Sequence, residues 1–323
     1  MQDKILQELP GVEKNILLKD FTTYKIGGPA KYFFIAKTRD DLLVAVKVAK
    51  NLKLQVFILG GGSNLLISDK GFDGLVIKIE TSDVNIQGNR AVVGAGVNLT
   101  KLAYLLADKG LSGLEWAAGV PGTVGGAIYG NAQAFSTKIS DAIESVEAIN
   151  LKTMEAENLT KEQCKFSLKN SVFKQNKNMV IISAATTFKN EDTEVIKGRI
   201  KEFLEYRKNR HPIEFASAGS TFVNPELKIT NKKLLENYPE LEEYNKKGII
   251  PAGYLIVKSG LAGEKIGNAQ ISEKHANFII NLGEAKAKDV LKLMKLAKEK
   301  VKKNFKINLV AEVQFIGFNK KTI

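Results

Sequence analysis

One cysteine and two histidines are all that 323 residues hold of the two commonest soft-metal ligands. Cys164 alone excludes an internal disulfide framework and a cysteine-rich zinc site, and it fits a reducing compartment. His211 and His275 stand without the cysteine or carboxylate spacing of a metal motif, so no metal is expected. No run reaches the roughly eighteen apolar residues needed to span a bilayer. Residues 1–15, MQDKILQELPGVEKN, place charges throughout what would have to be an apolar signal core. A cytoplasmic protein with no membrane partner is the expectation.

Familiar nucleotide and hydrolase motifs are missing as well. Gly94-Ala95-Gly96 follows a predicted strand and opens a helix, but the third position of a dinucleotide fingerprint is Leu99, where close packing wants Gly or Ala. The Gly-Lys-Ser/Thr ending of a phosphate loop is absent, which disfavours NTP hydrolysis. No Gly-x-Ser-x-Gly elbow surrounds Ser220, and no His/Asp pair has hydrolase spacing.

What is present is ordinary in bulk. Apolar residues at 44% and charged residues at 26% describe a globular chain, long enough for two or three domains. The net charge of +13 comes mainly from lysines spread along the chain, densest at 291–306, LKLMKLAKEKVKKNFK. Without aromatic interleaving or a known binding module, these read as a solvated helix face, and no nucleic-acid partner is expected. A basic cleft would also attract anionic nucleotides.

Period and punctuation predict strands at 31–36, 55–59, 74–79, 91–94, 145–150, 179–188, 276–281 and 313–316. Helices are predicted at 40–52, 99–109, 194–208 and 286–303. Asn98 is the expected cap of the second helix and Gly110 its stop. Residues 119–126 are too glycine-rich for regular structure and read as a loop. A polar insertion occupies 226–248.

Two glycine-rich loops carry the chemistry. Gly60-Gly61-Gly62-Ser63-Asn64 follows a strand, and its amides and side chains can form a nest for a pyrophosphate. A tight turn needing positive φ accounts for that pentapeptide equally well. The second loop, Gly119-Val120-Pro121-Gly122-Thr123-Val124-Gly125-Gly126, favours the nest, because two such loops can grip opposite sides of one extended dinucleotide. Downstream stand Ala218-Gly219-Ser220-Thr221-Phe222 and Glu312-Val313-Gln314.

These segments resemble the UDP-N-acetylenolpyruvoylglucosamine reductase family. The matching stretches are TTYKIGGPA (22–30), LGGGSNLLISDKGFDGLVI (59–77), GLEWAAGVPGTVGGAIYGNA (113–132), SAGSTF (217–222), AGYLI (252–256), IGNAQISEKHANFIIN (266–281) and AEVQFIG (311–317). The resemblance implies an α+β protein. An FAD-binding domain of the p-cresol methylhydroxylase (PCMH) type would cover 1–200, as two α/β subdomains, about 1–75 and 76–200, that clasp FAD. A C-terminal α+β substrate-binding domain would cover 201–323, and the protein is expected to act as a monomer.

It also implies the chemistry. NADPH would reduce FAD, and the UDP-N-acetylglucosamine enolpyruvate partner would then be reduced to UDP-N-acetylmuramate for peptidoglycan synthesis, and so for cell shape and division. By this resemblance the flavin positions are Gly60, Gly61, Gly62, Ser63, Asn64, Leu65, Gly119, Val120, Pro121, Gly122, Thr123, Gly125, Gly126, Asn131 and Ala132. Ser220 matches the proton donor, with Glu312 assisting. Lys169 stands where the family has an arginine that binds the enolpyruvyl carboxylate, in Leu168-Lys169 instead of Tyr-Arg. Arg207, Arg210, Asn224, Tyr254 and Lys265 are the substrate-binding candidates.

Further departures are Val223 at a usual lysine, Gln133 and Ser136 at usual glycines, and Val257 at a usual acidic position. Gln133 is expected to strain the backbone or crowd the flavin. A flavin- or UDP-sugar-binding homologue of impaired turnover, and another oxidoreductase on the same FAD fold, stay open as alternatives.

Overall fold

The structure, a computed structural model, describes residues 4–319. It divides into two compact units. The first is built from the chain up to Ile16, Pro29–Gly62 and Phe72–Asn209; the second takes Leu17–Gly28, Ser63–Gly71 and the chain from Arg210 on.

The first unit holds two sheets. In one, the strand order is Glu13–Leu17, Pro29–Ala36, Phe72–Ile79, Val56–Leu59. Phe72–Ile79 runs parallel to both Pro29–Ala36 and Val56–Leu59. Its buried run Leu75, Val76 and Ile77 is what a parallel strand covered on both faces requires. The crossover between Pro29–Ala36 and Val56–Leu59 is helix Arg39–Asn51, started by a reciprocal cap: Thr38 Oγ1 accepts from the Asp41 N–H at 3.1 Å, and Asp41 Oδ2 accepts from the Thr38 N–H at 2.9 Å. Leu42, Ala45, Val46 and Ala49 recur at helical spacing and are buried.

The other sheet is antiparallel throughout, in the order Glu155–Thr160, Ile143–Asn150, Met179–Thr187, Arg90–Gly94, Val84–Gln87. Helix Leu99–Asp108 follows its strand Arg90–Gly94, and Asn98 caps it as expected, its Oδ1 accepting from the Lys101 N–H at 2.9 Å. Gly110, at φ +67°, ends it. The unit closes with the long helix Thr193–Arg210.

The second unit is α+β. A three-stranded antiparallel sheet, Lys265–Ile266, Ala269–Ile271 and Ile279–Asn281, packs on helix Ala287–Phe305 through Val290, Leu293, Met294, Ala297 and Val301. The lysines of this helix lie off that face, with Lys288, Lys292, Lys295, Lys300, Lys302 and Lys303 exposed. Its N-terminus lacks a local side-chain cap, and Asp69 supplies one from far upstream, accepting from the Ala287 N–H at 2.8 Å and the Lys288 N–H at 3.3 Å. That bond, with the parallel pairing of Leu65–Ile67 to Gln314–Ile316, holds residues 63–71 in this unit.

One expectation changes. Residues 119–126 are not wholly irregular: Val124–Tyr129 forms a short helix, because Thr123 caps it through the Gly126 N–H and Gly125 lets it lie against Ala95. A Cβ at Gly125 would stand 2.8 Å from the Ala95 Cβ. The polar insertion contains helices Lys232–Asn237 and Glu240–Lys247; Leu241 is buried and Leu234 and Leu235 pack on the core, a face that short polar runs obscure in sequence.

Candidate active site

In the first unit the two glycine loops touch. A Cβ on Gly61 would lie 2.5 Å from the Gly122 Cα, and one on Gly60 would lie 2.8 Å from Thr123 Oγ1. Side chains at 60 and 61 would force the loops apart. The backbone N–H groups of Gly60, Gly61, Gly62, Gly122 and Thr123 donate to no acceptor among the described residues. Backbone donors are rarely left so in a packed fold, and a row of them suits an anionic group such as a pyrophosphate. The glycine cradle therefore fits FAD.

Asn131 adds a second sign of a ligand. It is 2% exposed, at φ +43°, and its Nδ2 donates to the Ser167 carbonyl at 2.9 Å while its Oδ1 is buried without a partner. Ser167 and Asn170 pair their backbones around a tight turn, and Ser171 Oγ donates to the Tyr129 carbonyl at 2.8 Å. Through these bonds the turn carrying Leu168 and Lys169 is stitched to residues 129–131. Lys169 sits at φ +52°, a left-handed conformation that costs energy for a side chain with a Cβ.

Gln133 does not carry the strain expected of it. It lies in the short strand Gln133–Ala134, paired with Thr137–Lys138, and the following Phe135 and Ser136 take the left-handed conformation at φ +51° and +63°. The hairpin turn is thus of the primed type, which explains why glycine suits position 136. The Phe135 ring stacks on Phe203 at 4.2 Å and lies 5.3 Å from the Arg207 guanidinium. Arg207 donates to the Trp116 carbonyl at 2.9 Å, its Nε is buried and unpartnered, and burial lowers its pKa. Its Cδ lies against the Gly119 position, so this candidate substrate residue sits directly beside the second glycine loop.

Ser220 and Glu312 belong to the second unit and are brought together there by backbone bonds. The Glu312 N–H donates to the Thr221 carbonyl at 2.9 Å, the Asn64 Nδ2 donates to the Glu312 carbonyl at 3.2 Å, and Gln314 donates to the Asn64 carbonyl at 3.0 Å. Asn64, Glu312 and the residue after Ser220 thus form one hydrogen-bonded group. Ser220 is half-buried, and its hydroxyl is committed to no hydrogen bond among the described residues.

The remaining candidates are dispersed in the second unit. Asn224 Oδ1 accepts from the Ala252 N–H at 2.9 Å and starts helix Ala252–Lys258. The Tyr254 hydroxyl donates to Glu240 at 3.1 Å, and Lys258 pairs with the same carboxylate at 2.8 Å; burial and that carboxylate raise the Tyr254 pKa. Arg210 and Lys265 are exposed.

His275 is half-buried against His211 and Phe278, with ring centroids at 5.4 and 4.9 Å. Its Nδ1 accepts from the Asn277 N–H at 3.3 Å, and burial lowers its pKa below the ordinary value of about 6.5. The unfolded chain therefore binds a proton that the folded chain resists. The stabilisation is complete above pH of about 6.5 and is lost as pH falls toward the depressed folded value. His275→Asn keeps an acceptor near the Nδ1 position and removes the titration. Its melting temperature should fall less than wild type between about pH 6.5 and 5; equal slopes would contradict the assignment.

A glycine cradle whose amides have no acceptor, and a buried Asn131 Oδ1 without a partner, suit a protein that binds an anionic cofactor such as FAD. Residues 30–154 match the family described as FAD binding domain, and residues 211–316 match UDP-N-acetylenolpyruvoylglucosamine reductase, C-terminal domain. A UDP-N-acetylenolpyruvoylglucosamine reductase of Caldicellulosiruptor bescii is 40% identical over 95% of this chain and 92% of its own. One of Bacillus subtilis is 37% identical over 98% of this chain and 100% of its own. The crystal structure of the Thermus caldophilus enzyme (MurB) superposes with a TM-score of 0.76 at 32% identity, covering 94% of this chain and 98% of that one. The chain belongs to the UDP-N-acetylenolpyruvoylglucosamine reductase family, and it is an FAD-dependent oxidoreductase.

Among the described residues no helix is long and apolar enough to cross a membrane, and no three His, Cys, Asp or Glu side chains cluster to hold a metal.

Proposed function

We propose that this protein reduces UDP-N-acetylglucosamine enolpyruvate to UDP-N-acetylmuramate with NADPH, in the cytoplasm, as a step of peptidoglycan precursor synthesis. FAD, when bound, takes the reducing equivalents of NADPH and supplies the hydride that the enolpyruvyl methylene carbon receives. The amides at 60–62, 122 and 123 would hold its pyrophosphate with the rest of the second loop, and Ser63, Asn64 and Leu65 remain candidate flavin positions by family resemblance. Asn131 Oδ1 offers it an acceptor. The flavin part then extends to about residue 200, and the substrate part follows it.

The carbon that gains negative charge next to the substrate carboxylate needs a proton. Ser220 supplies it, and its uncommitted hydroxyl is the observation that best supports the reading. A serine hydroxyl is a poor acid in water, so its neighbours must offset the charge it leaves; Glu312, bonded to the adjoining Thr221, assists. The Lys169 ammonium meets the substrate carboxylate. Arg207, Arg210, Asn224, Tyr254 and Lys265 serve the nucleotide, with Tyr254 first giving up Glu240.

Lysine keeps the charge at 169 but lacks the planar fork that holds a carboxylate by two bonds. One charged hydrogen bond is worth about 1.5–3 kcal/mol, so Lys169→Arg should raise kcat/KM about tenfold or more with the enolpyruvyl substrate. NADPH oxidation that depends on that substrate tests the function itself. Oxidation indifferent to it, with oxygen as the only acceptor, would favour another oxidoreductase on the same FAD fold.

A further inference from the structure

Asn277 spends every hydrogen-bonding group it has on one short segment and one ring. Its side chain pairs with the Phe222 peptide in both directions: Oδ1 accepts from the Phe222 N–H at 3.0 Å and Nδ2 donates to the Phe222 carbonyl at 2.8 Å. Its own carbonyl accepts from the Thr221 N–H at 2.7 Å, and its N–H donates to His275 Nδ1. It is 3% exposed, and Phe222, which it grips, is 1% exposed.

We propose that Asn277 is a positioning residue for the proton step, a clamp that fixes the peptides after Ser220 so that the hydroxyl is presented in one place. The proposal rests on Ser220 being the proton donor. Three features make the clamp specific to that residue. Gly219, at φ +75° and with nothing within 4 Å of where a Cβ would stand, gives the chain a pivot immediately before Ser220, so fixing of the hydroxyl must come from the other side. There, Thr221 donates to Asn277 and accepts from Glu312, which locks donor and carboxylate to the same strut. Upstream the segment is held by the Thr23 hydroxyl on the Ser217 carbonyl at 2.8 Å, the Asn281 N–H on the Ala216 carbonyl at 2.9 Å, the Gly219 N–H on Ser217 Oγ at 3.4 Å and the buried Ala218, all on the far side of the bond that joins Gly219 to Ser220.

Loosening the clamp lets Ser220 swing about Gly219 without touching the flavin cradle. A misplacement on the order of 1 Å can cost about a hundredfold in a positioned reaction. The two half-reactions separate this role from general stability, because flavin reduction by NADPH needs no proton from Ser220.

The experiment uses stopped-flow half-reactions on the flavin-loaded Asn277→Ala and Asn277→Ser proteins, each alone and combined with Ser220→Ala. The expected result is reoxidation by the enolpyruvyl substrate slowed about tenfold to a hundredfold, with reduction by NADPH within about twofold of wild type. In the Ser220→Ala background the Asn277 substitutions should slow reoxidation no further. Equal slowing of both half-reactions, a further loss in that background, or loss of bound flavin in both variants would overturn the proposal. Should Ser220→Ala itself leave reoxidation intact, it is the donor assignment that falls; a slowed Ser220→Ala beside normal Asn277 variants sinks the clamp alone.

Discussion

Ser220→Ala is expected to leave reduction of the flavin by NADPH within about twofold of wild type while slowing reoxidation by the enolpyruvyl substrate about 10²- to 10⁴-fold, the range general acid catalysis supplies. The prediction follows from what the hydroxyl does not do. Ser171, in the first unit, donates to the Tyr129 carbonyl and is fully buried, and removing its oxygen would orphan an acceptor. Ser220 holds no such bond, so its replacement should change stability by no more than about 0.5 kcal/mol. A melting curve beside the two half-reactions separates the cases. Parallel loss of both rates with a lowered melting temperature would mean that Ser220 supports the fold.

Gly61→Ala should sharply weaken flavin binding. Its Cβ would stand 2.5 Å from the Gly122 Cα and 2.9 Å from the Gly122 carbonyl carbon, both backbone atoms that cannot rotate away. Overpacking of this kind costs about 1–3 kcal/mol, and relief by parting the loops misaligns amides that hold an anion. Loss of one to two charged hydrogen bonds, at about 1.5–3 kcal/mol each, raises the FAD dissociation constant roughly 10- to 10⁴-fold. Gly198→Ala is the control: a Cβ there meets nothing within 4 Å, in the middle of a helix, so it should bind flavin normally. Titration of the flavin-free variants with FAD, read by flavin fluorescence, decides. Equal affinities for Gly61→Ala and wild type would remove the cradle from the account.

What was legible in the sequence was local. The Asn98 cap, the Gly110 stop and the alternation from strand 31–36 into helix 40–52 depend on residues within a turn or two of one another, and the structure places elements there. The glycine loops were legible as loops, but not that they meet at Gly61 and Gly122, which depends on how the intervening strands fold. The helix at Val124–Tyr129 was hidden for the opposite reason: low helix propensity at Gly125 and Gly126 was outweighed by close packing on Ala95.

The candidate site was legible as a set of residue types, through the family resemblance, and its supports were not. Asn277 reaches Phe222 across 55 positions and Asn131 reaches Ser167 across 36, distances over which no spacing rule operates. Gln133, at a usual glycine position, carries the expectation of a strained backbone or a crowded flavin. The strain lies instead at Phe135 and Ser136, since the hairpin register puts the turn two residues later.

The most direct test is a visible spectrum of the purified protein under anaerobic conditions, followed through one cycle. The account predicts the absorption of oxidised flavin, its bleaching by a single equivalent of NADPH, and its full return on adding UDP-N-acetylglucosamine enolpyruvate, with UDP-N-acetylmuramate formed in equal amount. A flavin that NADPH bleaches and the enolpyruvyl substrate fails to restore would contradict it.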